Sequence, residues 1–134
     1  MSIAILYIST ALIFLALDAV MLTLVMKPLF ARHIGAMLQD PIRMGPAIAF
    51  YLAYVAGLVA LVSLPALRAD SPAQALIPAA LIGAMAYGTY EFTNYATLKG
   101  WAPAMVATDL VWGTVLTAFS AWAGVAITRL LTTA

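Results

Sequence analysis

Four long apolar blocks run along the chain, each broken by at most one charge. Residues 3–26 hold a single charged residue, Asp18, and residues 46–67 hold none. Residues 73–90 hold none and are followed at once by Glu91, and residues 102–128 hold only Asp109. A helix that crosses a bilayer needs about 20 mostly apolar residues. The blocks therefore predict transmembrane helices over about 3–26, 46–67, 73–95 and 103–128, an all-α membrane four-helix bundle in one domain over residues 1–134. No basic residues precede the first block, and no small-residue cleavage site follows it. It is expected to stay in place as a span rather than be removed as a signal peptide.

The polar positions between the blocks define three loops, at 27–45, 68–72 and about 96–103. The first carries Lys27, Arg32 and Arg43 and the third Lys99, whereas the second has Arg68 beside Asp70 and the C-terminal end has Arg129. Basic residues favour the cytoplasmic side, which predicts loops one and three in the cytoplasm and both termini outside. Within the first loop, KPLFARHIGAMLQD places Pro28 where a first helical turn tolerates it. Phe30, Ile34, Met37 and Leu38 follow helical spacing, with Arg32, His33 and Gln39 elsewhere on the wheel. This predicts a short amphipathic helix over about 28–39 lying in the headgroup region; an irregular loop with scattered apolar residues fits the same pattern. Small residues recur on the second span (Ala49, Ala53, Ala56, Gly57, Ala60) and the fourth (Gly113, Thr117, Ser120, Gly124). Such stripes let helix backbones approach closely and are expected to be seams of the bundle. The same faces would equally serve a homodimer or a partner in a membrane complex.

Composition narrows the chemistry. At 66% hydrophobic and 8% charged residues, the chain lacks the polar surface to dissolve four such helices in water. A net charge of +1 with no basic cluster excludes a nucleic-acid partner, leaving the lipid bilayer as the expected environment. With no cysteine there are no disulfides or thiolate metal sites, and the single histidine, His33, excludes haem held by two histidines of this chain. The carboxylate spacing matches no metal motif, and no cofactor is specified.

The chemistry that remains is carboxylate chemistry within the membrane. Asp18 stands eight residues before Met26, roughly 12 Å from the end of its span at 1.5 Å per residue. Glu91 lies roughly 6 Å deep in the third span and Asp109 about 9 Å deep in the fourth. All three acids are thus expected in one half of the bilayer. Tyr87, Glu91 and Asn94 share a helix face, as do Tyr90 and Asn94, and Asp109 heads the small-residue stripe. Tyr51, Tyr54, Tyr95, Trp101 and Trp112 gather at the same depth. A deep carboxylate costs at least about 2.5–3.5 kcal/mol, so an acid such as Asp18 marks function by default. The candidates for ligand binding or proton handling are Asp18, Glu91, Asn94, Asp109, Tyr87, Tyr90 and Trp112. Plainer roles exist for each. The aromatics make an interfacial belt, Lys99 and Trp101 an anchor, Asn94 a helix–helix hydrogen bond, and Asp18 with Asp109 a structural network.

LALDAVM (15–21), YEFTNYATLKGW (90–101) and DLVWGT (109–114) are also where the chain resembles a known family, the bacterial predicted membrane proteins called domain of unknown function 2177. The resemblance covers essentially the whole chain. Members often have Asp where this chain has Glu91, and Trp where it has Met21. The resemblance implies four spans in a bacterial inner membrane, and it brings no activity or catalytic residue.

Three functions fit these residues. One is binding of, or action on, a small amphipathic or lipid-like molecule, with the cluster holding the polar head and the acids available for acid–base work. A second is an accessory subunit of a larger membrane complex. A third is a small proton-coupled transporter. Whether the protein is an enzyme stays open, because the chain shows no nucleophile–base pair and no phosphate loop.

Overall fold

In a computed structural model, the chain is described over residues 2–38 and 43–133, so Gln39 of the expected interfacial segment lies outside the described residues. The described residues form helices and no strands. Helix α1 runs from Ser2–Met21 through one π turn at Leu22–Met26 into Lys27–Ile34. Helix α2 comprises Met44–Leu58, a π turn at Val59–Ser63 and Leu64–Arg68. Helix α3 is Leu76–Thr97, led in by a 3-10 turn at Pro72–Ala75, and α4 is Pro103–Thr133. Apolar blocks become helices here because backbone polar groups have no other partner in lipid.

Among the described residues, three helices are long and apolar enough to cross a membrane: Ser2–Met37, Met44–Arg68 and Pro103–Thr132. Helix α3 has 22 residues, about 33 Å at 1.5 Å per residue, which is long enough. Its mean hydropathy is lowered by a polar second half containing Tyr87, Thr89, Tyr90, Glu91, Thr93 and Asn94. The threonines there satisfy themselves. Thr89 donates to the Met85 carbonyl at 2.6 Å, Thr93 to Thr89, and Thr97 to the Thr93 carbonyl at 2.8 Å. A hydroxyl bonded back to its own helix needs no water, so the exposed face of α3 is less polar than its sequence suggests.

Helix α4 is the centre of the bundle, and its small residues are where the others meet it. At Gly113 an added Cβ would collide with the Tyr87 ring, and at Gly124 with Thr10. A Cβ on Gly83 would stand 2.6 Å from the Gly113 carbonyl oxygen and 2.8 Å from Thr117 Oγ1. Thr117 is also hydrogen-bonded to the Tyr54 hydroxyl at 3.0 Å, which ties α2 to the same stripe. The stripe on α2 behaves otherwise. Ala49, Ala53, Ala56, Gly57 and Ala60 are all exposed, so they form no seam of this bundle. Helix α2 instead turns Val55, Leu58, Val59 and Val62 inward, onto Leu6, Phe14 and Leu116. Bulkier apolar residues bury more area per position, and they take the core side.

The segment after the first span continues α1 rather than starting a separate helix. Met26, Leu29 and Ile34 pack with Trp101, Met105 and Val106, so it docks on the third loop and the start of α4. Met37, expected on its apolar face, is exposed.

Gly113→Ala and Gly83→Ala are expected to lower stability by about 1–3 kcal/mol, the scale of an overpacked core. Gly57→Ala, with nothing within 4 Å of the added methyl, is expected to be neutral or slightly stabilising. Unfolding of the purified variants in detergent reads all three.

Candidate functional site

The acids come together because α3 and α4 run antiparallel in a register set by their small residues. Gly83 faces Thr117 and Tyr87 faces Gly113. One turn further along, Glu91 meets Asp109, side chain to side chain. Successive steps of four on both helices carry the contact from a packing seam into a pair of carboxyl groups. Asp18 approaches from α1, where its Oδ1 accepts the Trp112 indole N–H at 3.1 Å. The relative exposures of Asp18, Glu91 and Asp109 are 8%, 0% and 9%.

Asp18 and Asp109 border a cavity of about 390 Å³ to which all four helices contribute. Asp18, Tyr87 and Asp109 make a polar floor, with Tyr51 and Tyr54 beside it, and Leu22, Met26, Phe30 and Phe50 make apolar walls. The π turn in α1 helps to align its share of the lining. In a regular α-helix a step of four overshoots a full turn by about 40°, so Asp18, Leu22, Met26 and Phe30 would drift around the axis. The wider π turn at Leu22–Met26 takes back part of that drift and keeps the four on the cavity side. The first half of α2 packs mainly on α1 rather than on α3. The cavity therefore opens sideways between α2 and α3. Phe50 and Tyr90, which line it and are 67% and 50% exposed, mark its mouth.

Of the residues singled out in the sequence, Asp18, Tyr87, Tyr90 and Asp109 line the cavity. Glu91 and Trp112 stand behind the floor, each in a hydrogen bond. Asn94 is half-buried one turn beyond Tyr90, with its side chain near that of Tyr90. Tyr51 and Tyr54, read in the sequence as belt residues, turn inward. Their rings lie 5.5 and 5.6 Å from that of buried Phe14, and Tyr51 stands near the Asp18 carboxyl.

Trp101 is the clearest departure from the sequence reading. It is a buried donor and not a surface anchor: its indole N–H binds Glu91 Oε1 at 2.9 Å. The chain folds back at Gly100, whose φ of +84° suits glycine. A Cβ there would also stand 2.9 Å from the His33 carbonyl oxygen. The fold-back seats Trp101 against Phe30 and Tyr90, with ring centroids 5.2 and 5.8 Å apart. The Lys-Gly-Trp order was the available signal, since a glycine before an aromatic lets the chain reverse onto the helix it has just left.

Trp101→Phe is expected to cost about 1–3 kcal/mol by leaving a buried carboxyl without its N–H donor. Glu91→Gln keeps an acceptor for the indole and is expected to cost less. Detergent unfolding of the two variants, compared side by side, measures the difference.

No curated protein and no solved structure matches the chain. The family described as predicted membrane protein (DUF2177) matches residues 3–126, which takes in every element that lines the cavity. A match over that length settles the relationship: the chain belongs to this family of membrane proteins.

Proposed function

We propose that this is a bacterial inner-membrane protein that holds a small amphipathic or lipid-like molecule in the cavity between α1, α2 and α3. The observation that carries the reading is the cavity itself, which joins a carboxylate and tyrosine floor to aliphatic and aromatic walls and opens sideways. A ligand with a polar head and an apolar body fits that division, since pockets bind mostly through apolar contact and orient their ligands with a few polar groups. Helix α3 completes a four-span bundle, and loops one and three face the cytoplasm, which puts the polar floor in the cytoplasmic half of the membrane. Lys27, Arg32, Arg43 and Lys99 on that side support the orientation.

The second reading, an accessory subunit of a membrane complex, draws on the outward small-residue face of α2, where another helix has room to approach. Purification in mild detergent separates the two, because a chain that runs alone with a bound amphiphile speaks for the first.

Native mass spectrometry of the full chain is expected to show a retained amphiphile, and Ala86→Trp, which puts a bulky ring on the cavity lining, is expected to lose it while keeping its melting temperature. Retention by Ala86→Trp equal to that of the unaltered chain would sink the proposal. Because the chain has no cysteine, orientation is testable without background. A cysteine at Ser71 is expected to react with an impermeant maleimide added outside cells, and one at Arg32 only after permeabilisation.

A further inference from the structure

Among the described residues, neither the two acids that line the cavity, Asp18 and Asp109, nor Glu91 behind them has a cation of its own. Among the described residues none of Asp18, Glu91 and Asp109 forms an ion pair; the ion pair found joins Arg129 to Asp70 at 2.6 Å, beside the loop between α2 and α3. The partners that the acids do have leave capacity unused. Trp112 reaches one oxygen of Asp18 and Trp101 one oxygen of Glu91, while Glu91 Oε2 is buried with no hydrogen-bond donor. Asp109, nine-tenths buried and on the cavity floor, receives no N–H or hydroxyl and has the Glu91 carboxyl as its polar neighbour. The Tyr87 hydroxyl, on the same floor, is buried and likewise unpartnered. Buried carboxylates are ordinarily paired.

The rings around this floor share a preference with it. Phe50, Tyr51, Tyr54, Tyr87 and Tyr90 all line the cavity. Aromatic faces carry negative charge density and attract organic cations, above all alkylated ammonium groups. A metal ion is the poorer match, because the described residues assemble no group of three His, Cys, Asp or Glu able to grip one.

From this charge and ring arrangement, which rests on the cavity-binding reading above, we infer that the polar head of the bound amphiphile is an ammonium group. Its nitrogen sits over the floor between Asp18 and Asp109, boxed by the tyrosines. Its hydrocarbon chain runs along Leu22, Met26, Phe30 and Phe50 toward the opening between α2 and α3. An ammonium donates hydrogen bonds to the free carboxylate oxygens and supplies the missing positive charge. A carboxylate or phosphate head in the same place would face like charge. An ammonium could come from a free alkylamine or from the amine headgroup of a membrane lipid.

The test is a titration of the full chain in phosphatidylglycerol nanodiscs with octylamine, octanol and octanoate at neutral pH. Tryptophan fluorescence is the signal, since Trp112 is hydrogen-bonded to Asp18. Octylamine is expected to saturate at a concentration about tenfold below either other probe, the scale of one lost charge-assisted hydrogen bond. Asp18→Asn, which keeps an oxygen for the Trp112 bond, and Asp109→Asn are each expected to bring octylamine to the octanol level. Equal saturation by octanol and octylamine in the unaltered chain, or tighter octanoate, would overturn the ammonium assignment and leave amphiphile binding standing. Saturation by none of the three would remove both. Repeating the octylamine titration in discs that contain phosphatidylethanolamine separates the sources. A weakened octylamine response identifies the lipid amine as the ligand, and an unchanged one the free alkylamine.

Discussion

The close approach of α3 to α4 is the contact on which the rest depends. It exists because Gly83 and Gly113 present bare backbone where two helices cross, so that the Tyr87 ring lies on the spine of α4. The same register, continued by one turn, brings Glu91 against Asp109. Packing and chemistry are thus two ends of one seam. A bulkier seam would push α3 outward, separate the two carboxyls and change the cavity floor together. Interhelical packing in lipid depends on this kind of fit, since burial of apolar groups gives helices little reason to prefer each other over the surrounding chains.

Around that seam the polar groups of the cavity end are held by aromatic donors rather than by charges. Trp112 on Asp18 and Trp101 on Glu91 each bring one N–H to one oxygen. A tryptophan donor suits a membrane interior because the rest of its ring is apolar and packs against the neighbouring helices. The opposite end is different in kind. There Asp70, in a left-handed backbone conformation with a φ of 57°, meets Arg129 in an exposed ion pair. Exposed pairs of this sort contribute little to stability, so the two ends of the bundle are held by unlike means.

Much of the architecture was legible in the sequence because lipid imposes a simple rule: runs of about 20 apolar residues become helices. The rule is weakest for α3, where Tyr87 to Asn94 dilute the run, and it says nothing of the continuation of α1 beyond Met26. Counting residues along each helix put Asp18, Glu91 and Asp109 at one end, since rise per residue is fixed. What counting lacked was rotation and partner. It could not tell that Ala49, Ala53 and Gly57 face outward while Tyr51 and Tyr54 face in, because α2 is apolar on every side and offers no contrast. Nor could it find the Trp101–Glu91 bond, which depends on the reversal at Gly100. The π turn in α1 was equally hidden, as its residues are ordinary helix formers and only the packing of Met26 and Phe30 reveals it.

The sideways opening between α2 and α3 has a consequence for how the proposed ligand would fill the cavity. A site entered from water fills according to aqueous concentration. A site entered from within the bilayer fills according to the mole fraction of its ligand among the lipids, because partitioning has already removed the hydrocarbon chain from water. Two molecules of equal intrinsic fit but different lipophilicity would then compete unequally, and the membrane itself would do part of the selecting.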